Sequence, residues 1–204
     1  MTSLPLPFPP RGTMEHDLEE LGVDIDEKQY ELFGKFAGIL LERSSRVNLI
    51  GPKERQRLWS RHFMESMLYG FLVDINRTVV DIGSGNGFPG IVLAILGFRM
   101  ILLEPKRKKH LFLGYAIREL GLENCEIVPA RLEDFNPGNE VKQFVARAVA
   151  PPDSLLETIG KITGKGSVFV YRQPEIAENR KYENFIELKY PPLDRGGFLV
   201  QYRL

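Results

Sequence analysis

A chain of 204 residues, 43% apolar and 26% charged, is neither disordered nor collagen-like, and it suits one domain or one domain with an appended helical piece. Its 27 basic residues balance 27 acidic ones, so any nucleic-acid partner must be met by a local basic patch. One cysteine, Cys125, and three histidines exclude a disulfide framework and a thiol zinc site, and leave little for a histidine-based metal site.

The first ten residues alternate prolines with apolar residues and predict an extended, flexible tail over 1–14. With no basic leader, and no run near the ~20 apolar residues that span a bilayer, the chain reads as soluble and cytoplasmic. A short helix is predicted over 15–21, closed by Gly22. Asp26 and Gln29 have the spacing of a capping box, and Tyr30, Phe33, Ala37, Leu40, Leu41 and Ser44 follow at helical spacing. Gly51-Pro52 then breaks the chain. Pro52 opens a predicted helix that carries Leu58, Trp59, His62, Phe63 and Met67 and ends near Gly70. Residues 15–72 thus form a helical extension.

From residue 73 onward strands and helices alternate. Strands are predicted over 78–82, 99–103, 125–128, 144–149 and 167–171, with helices running to Leu96 and over 106–120 and 153–162. Strands over 185–190 and 198–202 close the chain as a hairpin. The pattern predicts a Rossmann-like α/β fold, its mostly parallel sheet carrying an antiparallel C-terminal edge, in one compact unit with the extension.

The strongest chemical signal is the segment from Val79 to Gly90: a β-branched strand, Asp81 at its end, then glycines at 83, 85, 87 and 90. Glycines let backbone turn sharply and approach a ligand, and the helix behind them aims its N-terminus at it. Gly85 to Gly90 also fits the G-x-G-x-x-G of dinucleotide enzymes. Asp81, however, would repel a pyrophosphate and attract a ligand that carries an ammonium and a sulfonium, as S-adenosylmethionine does. Glu104, about twenty residues on and ending the second strand, suits the two ribose hydroxyls of either ligand. In methyltransferases of this architecture a residue after the third strand usually contacts the adenine amine; Glu133 and Asp134 are the candidates here, against the reading of both as solvated loop acids. Cys125 reads as a core residue.

Several local motifs together resemble the guanine-N7 methyltransferases of small-subunit ribosomal RNA, the glucose-inhibited division protein B or RsmG family. They are Val47-Asn48-Leu49, Arg61-His62 with Glu65-Ser66, the stretch from Asp81 to Gly90 with its Phe88-Pro89-Gly90 ending, Arg131 with Glu133, and Arg147-Ala148-Val149-Ala150. The resemblance covers 32–204. It implies S-adenosylmethionine as methyl donor and 16S ribosomal RNA or the small-subunit particle as partner, for a monomer that needs neither metal nor membrane. It also implies donor-site roles for backbone at Gly83 and Phe88, for Leu132 and Glu133, and for Arg147, beside the Asp81, Gly85 and Glu104 read from the loop itself. The chain departs from the family at Ile50, where threonine is usual, at Glu65, where aspartate is usual, and at Arg172-Gln173, where lysine-glycine is usual.

The residues fit N7 chemistry by what they lack. Exocyclic-amine methylation commonly uses an Asn/Asp-Pro-Pro-aromatic motif, whereas this chain has Ala150-Pro151-Pro152-Asp153, and Cys125 lies on the wrong strand for a pyrimidine-carbon nucleophile. Guanine N7 already presents a lone pair, so orientation suffices and no general base is expected. Arg147, at the carboxyl end of the fourth strand, is expected to position reactants and to take no proton; the alternative is a structural salt bridge, the commoner role for an arginine. The RNA-contact candidates are Arg43, Arg46, Arg57 and Arg61 from the first basic run, Lys106 and Lys109 from the second, and Arg172. Two other readings stay open at this point: a small-molecule methyltransferase, which needs a closed apolar lid, and an NAD-binding oxidoreductase, which Asp81 disfavours.

Overall fold

The computed structural model describes residues 8–44, 49–138, 140–176 and 181–204. Helix α1 (Arg11–Leu21) starts four residues before the predicted helix, inside the stretch expected to be a flexible tail, because Met14 is buried with Leu18 in the core; it stops at Gly22, whose left-handed backbone lets Val23 N–H reach the Leu18 carbonyl. The predicted capping box opens α2 (Glu27–Ser44): Gln29 N–H donates to Asp26 Oδ1 at 2.7 Å, and Asp26 N–H donates to Gln29 Oε1 at 2.9 Å. That helix buries Phe33, Phe36, Ala37 and Leu40.

The single helix predicted after Pro52 is instead four pieces. Helix α3 (Pro52–Arg55) gives way to a π-helical turn, Leu58–Phe63, then to α4 (Met64–Leu68) and a 3₁₀ turn, Tyr69–Leu72. At the junction Met64 N–H bonds to the Trp59 carbonyl five residues back. The wide turn inserts a residue into the helical register, so Leu58, Trp59, His62 and Phe63 are all buried while Arg61 stays part-exposed.

The α/β part follows the predicted order: β1 (Val79–Ile82), α5 (Gly90–Ile95), β2 (Met100–Leu103), α6 (Arg107–Leu120), β3 (Cys125–Val128), a 3₁₀ turn at Leu132–Asp134, β4 (Gln143–Ala146), α7 (Pro152–Thr163), β5 (Val168–Gln173), β6 (Asn184–Leu188) and β7 (Gly197–Arg203). The sheet order is β3-β2-β1-β4-β5-β7-β6, parallel through β5, with β7 antiparallel to both β5 and β6. Strand β4 stops three residues short of the predicted end, because Ala148 turns the chain with φ 54°.

Alternation along β1 assigns its side chains to two layers. Val80 and Ile82 join Phe144, Phe169, Leu155 and Ile159 beneath α7. Val79 joins the other cluster, which unites α1, α2, the π-helical turn and α5. Phe63 and Phe36 each pack on Phe88 of the glycine loop, at ring separations of 5.2 and 5.4 Å. Asn86 also donates to the Leu49 carbonyl. The N-terminal helices therefore hold one side of the glycine loop. No described helix is long and apolar enough to cross a membrane.

Candidate active site

The parallel sheet reverses its winding between β1 and β4, and a cavity of about 710 Å³ opens at the carboxyl ends of these strands. Its floor is the loop after β1. Gly83 and Gly85 have φ of 66° and 57°, a region L side chains rarely adopt, and a Cβ on Gly83 would stand 2.8 Å from Val149. Both glycines are thus dictated by the backbone path.

Glu104, at the end of β2, is buried in the cavity wall. Its Oε2 accepts Gly85 N–H at 3.0 Å and its Oε1 accepts Lys106 N–H at 2.8 Å, so the acid pins the loop and keeps a lone pair on each oxygen. Lys106 and Lys109, two of the RNA-contact candidates, line the same wall, Lys106 exposed and Lys109 half-buried. Arg131, Leu132 and Glu133 form the third wall; Arg147, Ala148 and Val149 form the fourth, joined by His62 and Phe88.

Asp81 does not line this cavity. The alternation of β1 turns its side chain under the loop toward α5, where it is 1% exposed and its Oδ2 accepts Gly90 N–H at 3.0 Å. Its Oδ1 is buried with no hydrogen-bond partner among the described residues. Burial pushes the carboxyl up to about 7, and the nearby Ser84 hydroxyl, the Gly90 N–H and the charge of Arg147 offset that only in part.

Arg147 is the centre of an ion network the sequence did not disclose. Its guanidinium donates to the Arg61 carbonyl at 3.3 Å and to His62 Nδ1, and lies 3.6 Å from Glu65. His62 Nε2 lies 3.0 Å from Glu54 Oε2. Burial first, then the charges of Arg147, Arg61 and Arg195, push the imidazole down to about 3. The ring is therefore neutral at pH 7: Nδ1 accepts from Arg147, and Nε2–H donates to Glu54. Glu65 also pairs with Arg172 at 3.4 Å. Arg61 pairs with Glu54 at 3.0 Å, and Arg57 with Asp194 at 3.5 Å.

The predicted RNA-contact residues thus separate. Arg57, Arg61 and Arg172 gather beside Arg147, Lys106 and Lys109 enter the cavity, and Arg43 stacks on Tyr115 of α6 at 4.1 Å. Arg46 lies outside the described residues. Glu54, Asp194 and the ion-pairing role of His62 are the functional features the sequence analysis does not pick out. The position of Glu54 as the sole acid in the run 43–61 was the available signal.

The donor set fits S-adenosylmethionine. An acid with free lone pairs at the end of β2 suits a ribose diol, and a glycine floor admits backbone contact. With the sheet order, the fold and this site define a class I S-adenosylmethionine-dependent methyltransferase. Two solved structures share the fold: an RNA methyltransferase from Salinibacter ruber in complex with S-adenosyl-L-homocysteine (14% identity, TM-score 0.54, 69% of this chain and 88% of that one) and an S-adenosylmethionine-dependent methyltransferase from Aquifex aeolicus (16%, 0.54, 78% and 96%).

The family model described as rRNA small subunit methyltransferase G matches residues 29–190. Among curated relatives of that name, the protein of Oenococcus oeni is 33% identical over 174 residues, 81% of this chain and 72% of its own. That of Pelotomaculum thermopropionicum is 32% identical over 200 residues, 88% and 84%. The chain belongs to the rRNA small subunit methyltransferase G family. The dinucleotide and small-molecule readings of the glycine loop give way to this assignment.

Proposed function

We propose that the chain transfers a methyl group from S-adenosylmethionine to N7 of a guanine in 16S ribosomal RNA. The observation that carries this reading is the shared wall of Phe88, His62 and Arg147, with the donor cavity on one side and a cluster of guanidinium groups on the other. An apolar lid, which a small uncharged acceptor would need, is replaced there by cations suited to a polyanion.

When bound, S-adenosylmethionine supplies an electrophilic methyl group. Glu104 would accept the ribose hydroxyls, backbone at Gly83, Gly85 and Phe88 would meet the amino-acid end, and Leu132 with Glu133 would meet the adenine. Asp81 acts through the loop: it ties the start of α5 to β1 and keeps the glycines in place. Neither His62, in the cavity wall, nor Cys125, outside the cavity, is suited to abstracting a proton. His62 is neutral but both its nitrogens are engaged, and burial pushes the Cys125 thiol up to about 12. Guanine N7 needs no such base.

Arg147 is a positioning residue, held from one side by His62 and from the other by Glu65. Labelled S-adenosylmethionine offered with naked rRNA, small subunits and free nucleosides, followed by mapping of the modified base, tests the reaction. Label on guanine N7 of 16S rRNA is expected, and label on nucleosides alone would overturn it. Arg147→Ala should abolish transfer in a folded protein and Arg147→Lys restore only part, because the planar fork is lost. Full activity in Arg147→Ala would remove the residue from the site.

A further inference from the structure

The turn between β6 and β7 brings a fifth guanidinium, that of Arg195, to the arginine cluster. Leu193 anchors the turn in the core. Asp194 N–H donates to the Ser60 carbonyl at 3.4 Å, and its carboxylate lies 3.5 Å from Arg57 and 3.9 Å from Arg61. On the other side of Arg195, the Gly196 carbonyl accepts Arg172 Nη2 at 2.8 Å. Arg195 is thus pinned at both neighbours, against the π-helical turn and against β5.

The other four guanidiniums each have a carboxylate partner: Arg57 has Asp194, Arg61 has Glu54, and Arg147 and Arg172 share Glu65. Arg195 has no ion pair or hydrogen bond among the described residues, and its Nε is buried without a partner. Five guanidiniums face three carboxylates, with His62 neutral between them. This surplus of positive charge sits in a chain with no net charge. Burial and repulsion from Arg172, Arg61 and Arg147 hold the Arg195 guanidinium below its ordinary range, although Glu65 draws it the other way. Such a crowding of like charges favours an anion that several of them can share.

The location separates this anion from the methyl donor. Arg147 and His62 line the donor cavity and Arg195 does not, so the seat lies on the acceptor side of that wall. Arg195 is part-exposed and can be reached from outside. We propose that Arg195, with Arg172 and Arg61 beside it, seats a backbone phosphate of the RNA next to the nucleotide that is methylated. The inference rests on the rRNA reading of the site.

The test uses the full chain with Arg195→Ala and Arg195→Lys, each checked by thermal melting. Transfer to small subunits or rRNA is measured over a range of salt, and S-adenosylmethionine affinity is measured by calorimetry. Arg195→Ala should raise the KM for RNA about tenfold or more and lower the slope of log KM against log salt by about 0.7–0.9, the loss of one phosphate contact. Donor Kd and kcat should change less than about twofold. Arg195→Lys should keep the slope but recover only part of the affinity. It also serves as the test if Arg195→Ala fails to fold, and a KM equal to that of the unsubstituted chain would then overturn the proposal. Unchanged KM and slope in Arg195→Ala, or a weakened donor Kd, overturns it as well. If the unsubstituted chain transfers nothing to RNA, the underlying reading fails, and the seat with it.

Discussion

Glu65 is the most exacting test of the ion network. Its side chain is 2% exposed and lies between Arg147, at 12%, and Arg172, at 9%. Replacing it with glutamine keeps the volume but leaves two buried guanidiniums facing each other without a counter-charge. Removing one partner of a buried pair typically destabilises by about 3–5 kcal/mol. The separations of 3.6 and 3.4 Å exceed the ~2.7–2.9 Å of a well-formed charged hydrogen bond, which favours the lower end, about 3 kcal/mol. For a chain of this length 1 kcal/mol moves Tm by about 2–4 °C, so Glu65→Gln should melt at least about 6 °C lower by scanning calorimetry. Arg147 would lose its second anchor at the same time, so transfer should fall further than the folded fraction accounts for. Glu65→Asp keeps the charge and is the residue usual in the family, so it should retain most of both. A Tm within about 2 °C of the unsubstituted protein for Glu65→Gln would refute the claim that this carboxylate offsets two buried cations.

S-adenosylmethionine or its demethylated product should raise Tm, and NAD should not, because a ligand stabilises the state it binds; the reverse preference in a thermal-shift assay would overturn the donor assignment. Gly90→Ala should destabilise by about 1–3 kcal/mol and weaken donor binding, since a Cβ there would stand 2.6 Å from Asp81 Oδ2 and press on Leu102; normal melting would show that the loop has slack. With its carboxyl near 7 in the fold and about 4 in the unfolded chain, Asp81 holds a proton that the unfolded chain has lost between those limits. By itself it therefore makes stability fall as pH rises from about 4 to about 7. Asp81→Asn removes that titration, so its stability relative to the unsubstituted chain should climb across this window, by up to roughly 4 kcal/mol at its upper end, and its relative Tm with it. Parallel Tm profiles from pH 4.5 to 7.5 would refute the burial argument.

What the sequence determined is local in origin. The capping box at Asp26 and Gln29, the stops at Gly22 and Gly121, the β-α alternation and the glycine loop each depend on residues within a few positions of one another. Short-range sterics and hydrogen bonding settle these before any tertiary contact forms, and the motifs that carried the family resemblance are of the same kind. Glu104 was legible for that reason, because its distance from the loop is set by one β-α-β unit. Three things waited for the tertiary structure. The pleat of β1 turned Asp81 beneath the loop, since alternate residues of a strand face opposite layers and the strand's frame is fixed by what packs on it. The helix after Pro52 widened into a π-helical turn, because burying Leu58, Trp59, His62 and Phe63 together needs a register no regular helix supplies. The arginine cluster joins residues from the π-helical turn and its start, the end of β4, β5 and the last hairpin, and the Arg57–Asp194 pair alone spans 137 positions of the chain. Spacing in sequence carries no trace of such a meeting, because charges pair by distance in space, and only the folded sheet brings these four segments to one side of the donor cavity.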